Sequence, residues 1–135
     1  DYKTNKTGDG RGCKMTALMN HAALYSALKN NAALSAKVSG LFDVVPTTAA
    51  FPYIEVGEVF EVNDEILDNS GAEITLRLHL WSKYAGRKEV YEIRALIIAA
   101  LPDWCIYDGI NVMRDPDEPD IWHGIIEIKY FDRRN

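Results

Sequence analysis

The chain has 135 residues and a formal net charge of −5, with 47% hydrophobic and 26% charged residues. This length suits one domain whose core needs no disulfide or metal. The negative charge argues against a protein that coats nucleic acid, because phosphate contacts need clustered lysine and arginine. No apolar run approaches the ~20 residues of a membrane span and no signal-peptide pattern opens the sequence, so we expect no membrane association. Cys13 and Cys105 share no metal-ligand spacing, which favours a reduced, cytosolic compartment, with a disulfide between them left open.

Residues 1–14 are polar and contain three glycines, so they offer no core face and are predicted to be a flexible arm. Met15 is a candidate natural start, which would make the arm a tag remnant. If the arm is native, we expect it to lie against a neighbouring subunit. Residues 15–135 are then predicted to be a single domain.

The first part of that domain is predicted to be helical. Residues 16–30 place apolar side chains at helical spacing, and residues 32–38 form a second short turn of helix. A loop is predicted over residues 42–50.

Residues 53–62 alternate like a strand, with one fault at Glu58 that predicts a bulge near Gly57. The apolar side chains assigned to one face of this strand are Ile54, Val56, Phe60 and Val62.

The central strand is predicted over residues 72–82, where alternation is almost unbroken. The inward side chains are Ala72, Ile74, Leu76, Leu78 and Leu80. The outward side chains are Glu73, Thr75, Arg77, His79 and Trp81. Helices must cover the inward side chains, and the outward side chains are either exposed to water or covered by a partner.

The C-terminal part supplies the strongest helix, over residues 86–101, and two more strands, over residues 104–114 and 121–131. The predicted order is α-(α)-β-β-α-β-β. This order predicts an α+β two-layer sandwich, with a mainly antiparallel four-stranded sheet and two main helices on one face.

One stretch resembles a metal site, the acidic turn between the last two strands. Its carboxylates are Asp115, Asp117, Glu118 and Asp120, and the imidazole of His123 is nearby in the sequence. Mg²⁺ and Ca²⁺ prefer such oxygen ligands, but two prolines and the lack of EF-hand spacing favour a solvated hairpin. No nucleophile or phosphate-loop signature occurs, so we predict no enzyme activity, no metal and no cofactor.

The outward stripe Arg77, His79 and Trp81 is the best candidate for a binding surface, extended by Trp122 and Ile125 on the last strand. Tryptophan and arginine are enriched at binding hot spots, and a sheet covered on one side leaves its other face free. An ordinary exposed face is the alternative. The sequence therefore favours protein–protein association.

Several segments resemble a known family. Phe51-Pro52-Tyr53-Ile54-Glu55-Val56-Gly57 resembles the first strand of phage tail completion, or tail terminator, proteins. Leu76-Arg77-Leu78-His79-Leu80-Trp81-Ser82, followed by a glycine-containing turn and a helix, resembles that family's strand ending in Trp-Ser. The resemblance spans about residues 18–131 and does not include residues 1–14.

The resemblance implies a structural protein that forms a ring, hexameric in that family. Such a ring caps the tail tube, ends its polymerisation and joins the tail to the head at the tail–neck junction of a virion or phage-like particle, which is assembled in the host cytoplasm. Its implied partners are its own copies, the tail tube protein and a head–tail connector or neck protein, while DNA passes through without specific binding. The segment expected to contact the tube or lumen is Asn63, Asp64, Glu65, Asp68 and Asn69. Another neck or connector subunit, or a small metal-dependent enzyme using residues 115–120, remains an alternative.

Overall fold

The computed structural model describes residues 16–63 and 71–133 and contains three helices and five strands within them. The predicted arm, residues 1–14, and most of the loop after the first long strand lie outside these ranges. The elements in chain order are α1 (Thr16–Lys29), α2 (Ala32–Lys37), β1 (Leu41–Phe42), β2 (Tyr53–Asn63), β3 (Gly71–Ser82), α3 (Lys88–Ala100), β4 (Ile106–Arg114) and β5 (Trp122–Arg133).

The five strands form one mixed sheet in the order β1-β2-β3-β5-β4. The antiparallel pairs are β2 with β3, β3 with β5, and β4 with β5. β3 alternates between buried and half-buried side chains along its whole length, as the sequence predicts. The α+β class is confirmed.

The core lies between the sheet and the three helices. Leu24 of α1, Leu34 of α2 and Ile97 of α3 belong to one cluster with the inward side chains of β3 and β5. Gly124 of β5 lets α3 approach closely, because a Cβ there would meet Val90 Cγ1 at 2.8 Å. Among the described residues, the helices therefore cover one face of the sheet and leave the other face free. In the described part of the chain, no helix is long and apolar enough to cross a membrane.

A buried serine fixes the start of α3 at the end of β3. Ser82 Oγ donates to Glu89 Oε1 at 2.6 Å and accepts from the Tyr84 N–H at 3.1 Å. Ser82 is fully buried, so both bonds satisfy a hydroxyl that water cannot reach. The Trp-Ser ending of β3 thereby sets the turn into the helix.

The predicted strand number is wrong by one. Leu41 and Phe42, at the edge of the predicted loop, pair in parallel with Ile54 and Glu55 and form β1. A two-residue strand is too short to produce a period-two signal, so the sequence pattern cannot reveal it. It covers one end of β2 and leaves residues 57–63 at the sheet edge.

The bulge predicted near Gly57 is confirmed, but its consequence for the face assignment was missed. The register of β2 against β3 shifts between Val56 and Val59. One extra residue reverses the alternation, so Phe60, opposite Thr75, lies on the face away from the helices. The assignment of Phe60 and Val62 to the face of Ile54 and Val56 is therefore wrong.

Candidate functional site

The candidate site is the free face of the sheet, built from the outward side chains of β2, β3, β4 and β5. The strand register places Trp81 opposite His123 and His79 opposite Ile125. Arg77 is opposite Glu127 on the same face. Four of the five residues predicted to form the stripe, Arg77, His79, Trp81 and Ile125, are thus brought together.

Trp122 is the exception, and its predicted place on this face is wrong. It lies on the covered face with Ile126 and Ile128, and is 6% exposed. Residues 122 and 125 are separated by an odd number, so a regular strand points them to opposite faces. Trp122 instead packs into the core below the guanidinium groups of Arg87 and Arg114.

Two imidazoles form the centre of the free face. His79 Nδ1 lies 2.7 Å from His123 Nε2, and His79 Nε2 lies 2.8 Å from Glu58 Oε1. His123 stacks on the Trp81 indole with centroids 3.9 Å apart and planes 7° apart. The indole Nε1–H donates to Glu55 Oε1 at 3.3 Å. We name these five residues the histidine–tryptophan cluster.

The hydrogen bonds of this cluster define one arrangement of protons. Because ionised Glu58 accepts, His79 Nε2 carries a hydrogen and donates to it. In the neutral pair, His79 Nδ1 then accepts from the Nε2–H of His123. Two fully protonated rings would bring two N–H groups face to face.

The electrostatics agree with that arrangement. Burial, and then the neighbouring His79, lower the pKa of His123. The hydrogen bond from His79 lowers the pKa of Glu58. Gly57 permits the geometry, since a Cβ there would collide with the His79 ring. The bulge therefore places Glu58 next to His79, and Gly57 leaves the space that the His79 ring occupies.

The remaining charges of the free face are paired across strands. Arg77 Nε donates to Glu127 Oε2 at 2.9 Å. Lys129 Nζ lies 3.2 Å from Glu73 Oε2 and 3.7 Å from Asp108 Oδ2. Half-exposed pairs of this kind add little to stability. They do offset part of the charge of this surface, which lowers the cost of covering it with another protein.

Apolar side chains are exposed beside these pairs. Phe131 of β5 is 60% exposed. Val62 of β2 and Phe131 both lie opposite Glu73 of β3, so the three side chains form one row across the sheet. Phe60 lies in the next row, with the Arg77 guanidinium 4.9 Å from its ring centroid. Exposed apolar side chains next to aromatic and arginine side chains are typical of a binding surface.

The other residues considered from the sequence lie elsewhere. Asp115 accepts from the Asp117 N–H at 3.2 Å, and the turn closes through backbone bonds to Ile121. Among the described residues, no group of three or more histidine, cysteine or acidic side chains is placed to hold a metal ion. Asn63 ends β2, while Asp64, Glu65, Asp68 and Asn69 of the predicted tube or lumen segment lie outside the described residues.

His123 gives the first prediction. Because its pKa is lowered by folding, the unfolded chain binds a proton at higher pH than the folded chain. This contribution to stability is present above the unfolded value, about 6.5, and is lost as the pH falls towards the folded value. We expect His123→Phe, which keeps a ring over Trp81, to lose less stability than the parent chain between pH 7 and pH 5. Urea unfolding at both pH values measures this, with His21→Phe on α1 as the control; an unchanged pH dependence in His123→Phe would contradict it.

Together, these features define an α+β two-layer sandwich whose uncovered sheet face combines paired charges, stacked rings and exposed apolar side chains. The family model described as tail completion protein gp17 matches residues 22–130. The chain belongs to that family and is a structural protein of a virion tail.

A solved structure has the same fold. A chain in the virion of a native gene transfer agent particle is similar with a TM-score of 0.71 and 19% identity. The match covers 87% of this chain and 97% of that one. A comparison with curated proteins gave no significant match.

Proposed function

We propose that copies of this chain assemble into a closed ring at the end of the tail tube. The ring stops polymerisation of the tube and joins the tail to the head or neck, at the tail–neck junction of the virion. Membership of the tail completion family supports the location. The observation that carries the proposal is the free sheet face, whose charges are partly offset by internal ion pairs and which still exposes large apolar side chains.

A closed ring requires two different complementary surfaces, because each subunit contacts the next one head to tail. The free face supplies one of these surfaces, centred on Arg77, His79 and Trp81, with Ile125 beside them. We place the tube or lumen contact at the segment that follows Asn63. Its acidic residues suit a channel through which DNA passes without sticking, because like charges repel.

A different neck or connector subunit is the alternative within the same class. Such a subunit would bind heads rather than tail tubes. The acidic turn and His123 do not support an enzyme, because the imidazole is already engaged by Trp81 and His79.

Imaging and mass measurement test the proposal. We expect negative-stain images of the purified full chain with purified tail tubes to show rings at one end of the tubes. Tubes assembled in its presence should be uniform in length, and tubes assembled without it should not. A chain that stays monomeric with tubes, or sediments with heads and not with tubes, would reject the ring in favour of another role.

A further inference from the structure

A second surface lies at the end of the sandwich where β3 ends and β5 begins. Its centre is the nearly buried Trp122 indole. Arg87, just before α3, has its Cζ 4.6 Å from the ring centroid, and Arg114, the last residue of β4, has its Cζ at 4.9 Å. We name Arg87, Arg114 and Trp122 the arginine clamp.

Neither guanidinium group of the clamp is paired with a carboxylate in the described part of the chain. Across residues 16–63 and 71–133, neither forms an ion pair or a side-chain hydrogen bond. Other stacked arginines of the chain differ, since Arg77 bonds Glu127 and Arg94 bonds the Tyr107 hydroxyl. Stacking occupies the flat face of a guanidinium and leaves its N–H edge available. The fold therefore holds two like charges on one ring, and their N–H edges have no side-chain partner among the described residues.

A cleft of about 450 Å³ opens beside the clamp. Its lining includes Lys83, Arg114 and Trp122 together with Glu118 and Asp120 of the acidic turn, so its charge is mixed. This volume is in the range that accepts a small ligand or a few side chains. The start of α3 adds positive partial charge nearby, because Arg87 gives it no side-chain cap.

We propose that the arginine clamp binds a carboxylate-bearing segment of another protein, with Arg87 and Arg114 as bidentate donors to its acidic groups. A carboxylate matches the guanidinium fork, and charge-assisted pairs of this kind are the strong ones. A nucleic acid presents a continuous row of phosphates that needs clustered lysine and arginine, whereas the clamp offers two arginines, so nucleic acid is disfavoured. Tryptophan and arginine, the two residue types of the clamp, are also enriched at protein-binding hot spots.

The test uses the full chain labelled with ¹⁵N and a blocked oligoglutamate peptide. We expect the peptide to shift the Trp122 indole N–H resonance saturably, and an oligoglutamine peptide to leave it unchanged. Replacing both arginines, Arg87→Ala with Arg114→Ala, should weaken peptide binding about tenfold or more. Arg87→Lys with Arg114→Lys keeps the charge, loses the fork and should bind with intermediate affinity.

The matched control removes two other stacked cations, Lys29→Ala with Arg94→Ala, and therefore changes the net charge equally. It should bind the peptide like the parent chain. Circular dichroism checks that each variant is folded. Equal weakening in the control, no saturable shift with oligoglutamate, or tighter binding of inorganic phosphate or a short DNA duplex than of the peptide would each overturn the proposal.

Discussion

Truncation of Ile126 to alanine is expected to lower the free energy of unfolding by about 2 to 5 kcal/mol, the usual range for such a change in a packed core. Ile126 is fully buried in β5, between Leu78 of β3 and Ile110 of β4. Loss of its side chain leaves a cavity beneath the helices, and the paired strands on both sides limit how far the sheet can collapse into it. Urea unfolding followed by circular dichroism measures the effect.

Ile106→Ala is the matched control, because it removes the same atoms from a side chain that is 51% exposed on the edge strand β4. We expect its cost to stay within about 1 kcal/mol. Equal losses at the two positions would mean that the inward face of β5 is not the core of the domain.

The sequence predicted β3 well for a physical reason. Its buried and half-buried residues alternate without interruption, so a period of two is visible in the residue types alone. Helical spacing located α3, and the strand pattern located β4 and β5, to within a few residues of their bounds. The α+β fold class and the arrangement of the two layers follow from these elements, because each apolar face has to be covered.

The failures occur where alternation is broken or too short. In β2, the pattern showed a fault at Glu58, but a single inserted residue reverses every later side chain, and composition does not reveal which way Phe60 points. β1 has only two residues, and it is recognised as a strand only by its parallel pairing with β2. Trp122 could have been assigned correctly, since its odd separation from Ile125 already excludes a common face.

The contacts within the histidine–tryptophan cluster could not be predicted from the sequence. His79 and Trp81 were recognised as an outward stripe, but their contacts with His123 and Glu58 depend on which residues of β5 and β2 lie opposite. That register is a tertiary property, set by the β-bulge on one side and by the β3–β5 pairing on the other. Gly57 was the one available signal, because it marks the close approach of a neighbouring ring.

Trp81→Ala is expected to disrupt the proposed ring. Trp81 is the large aromatic side chain of the histidine–tryptophan cluster, and hot-spot truncations cost about 2 to 4 kcal/mol of binding. This loss corresponds to a dissociation constant raised about 30-fold to about 1,000-fold. Each subunit of a ring has two interfaces, so the loss acts at every contact and shifts the population towards monomers. Light scattering and mass photometry across a concentration series measure it.

Trp104→Ala provides the comparison that separates an interface from a general effect of losing an indole. Trp104 is 40% exposed, but it packs edge-on against Tyr130, whose ring belongs to the covered face. We expect this variant to form rings like the parent chain. Trp81→Phe keeps a ring over His123 and loses the bond to Glu55, so it should assemble with intermediate strength. If Trp81→Ala forms rings at the parent concentration, or if Trp104→Ala loses them equally, the free face is not the subunit contact, and both surfaces that ring closure requires have to be sought elsewhere on the subunit.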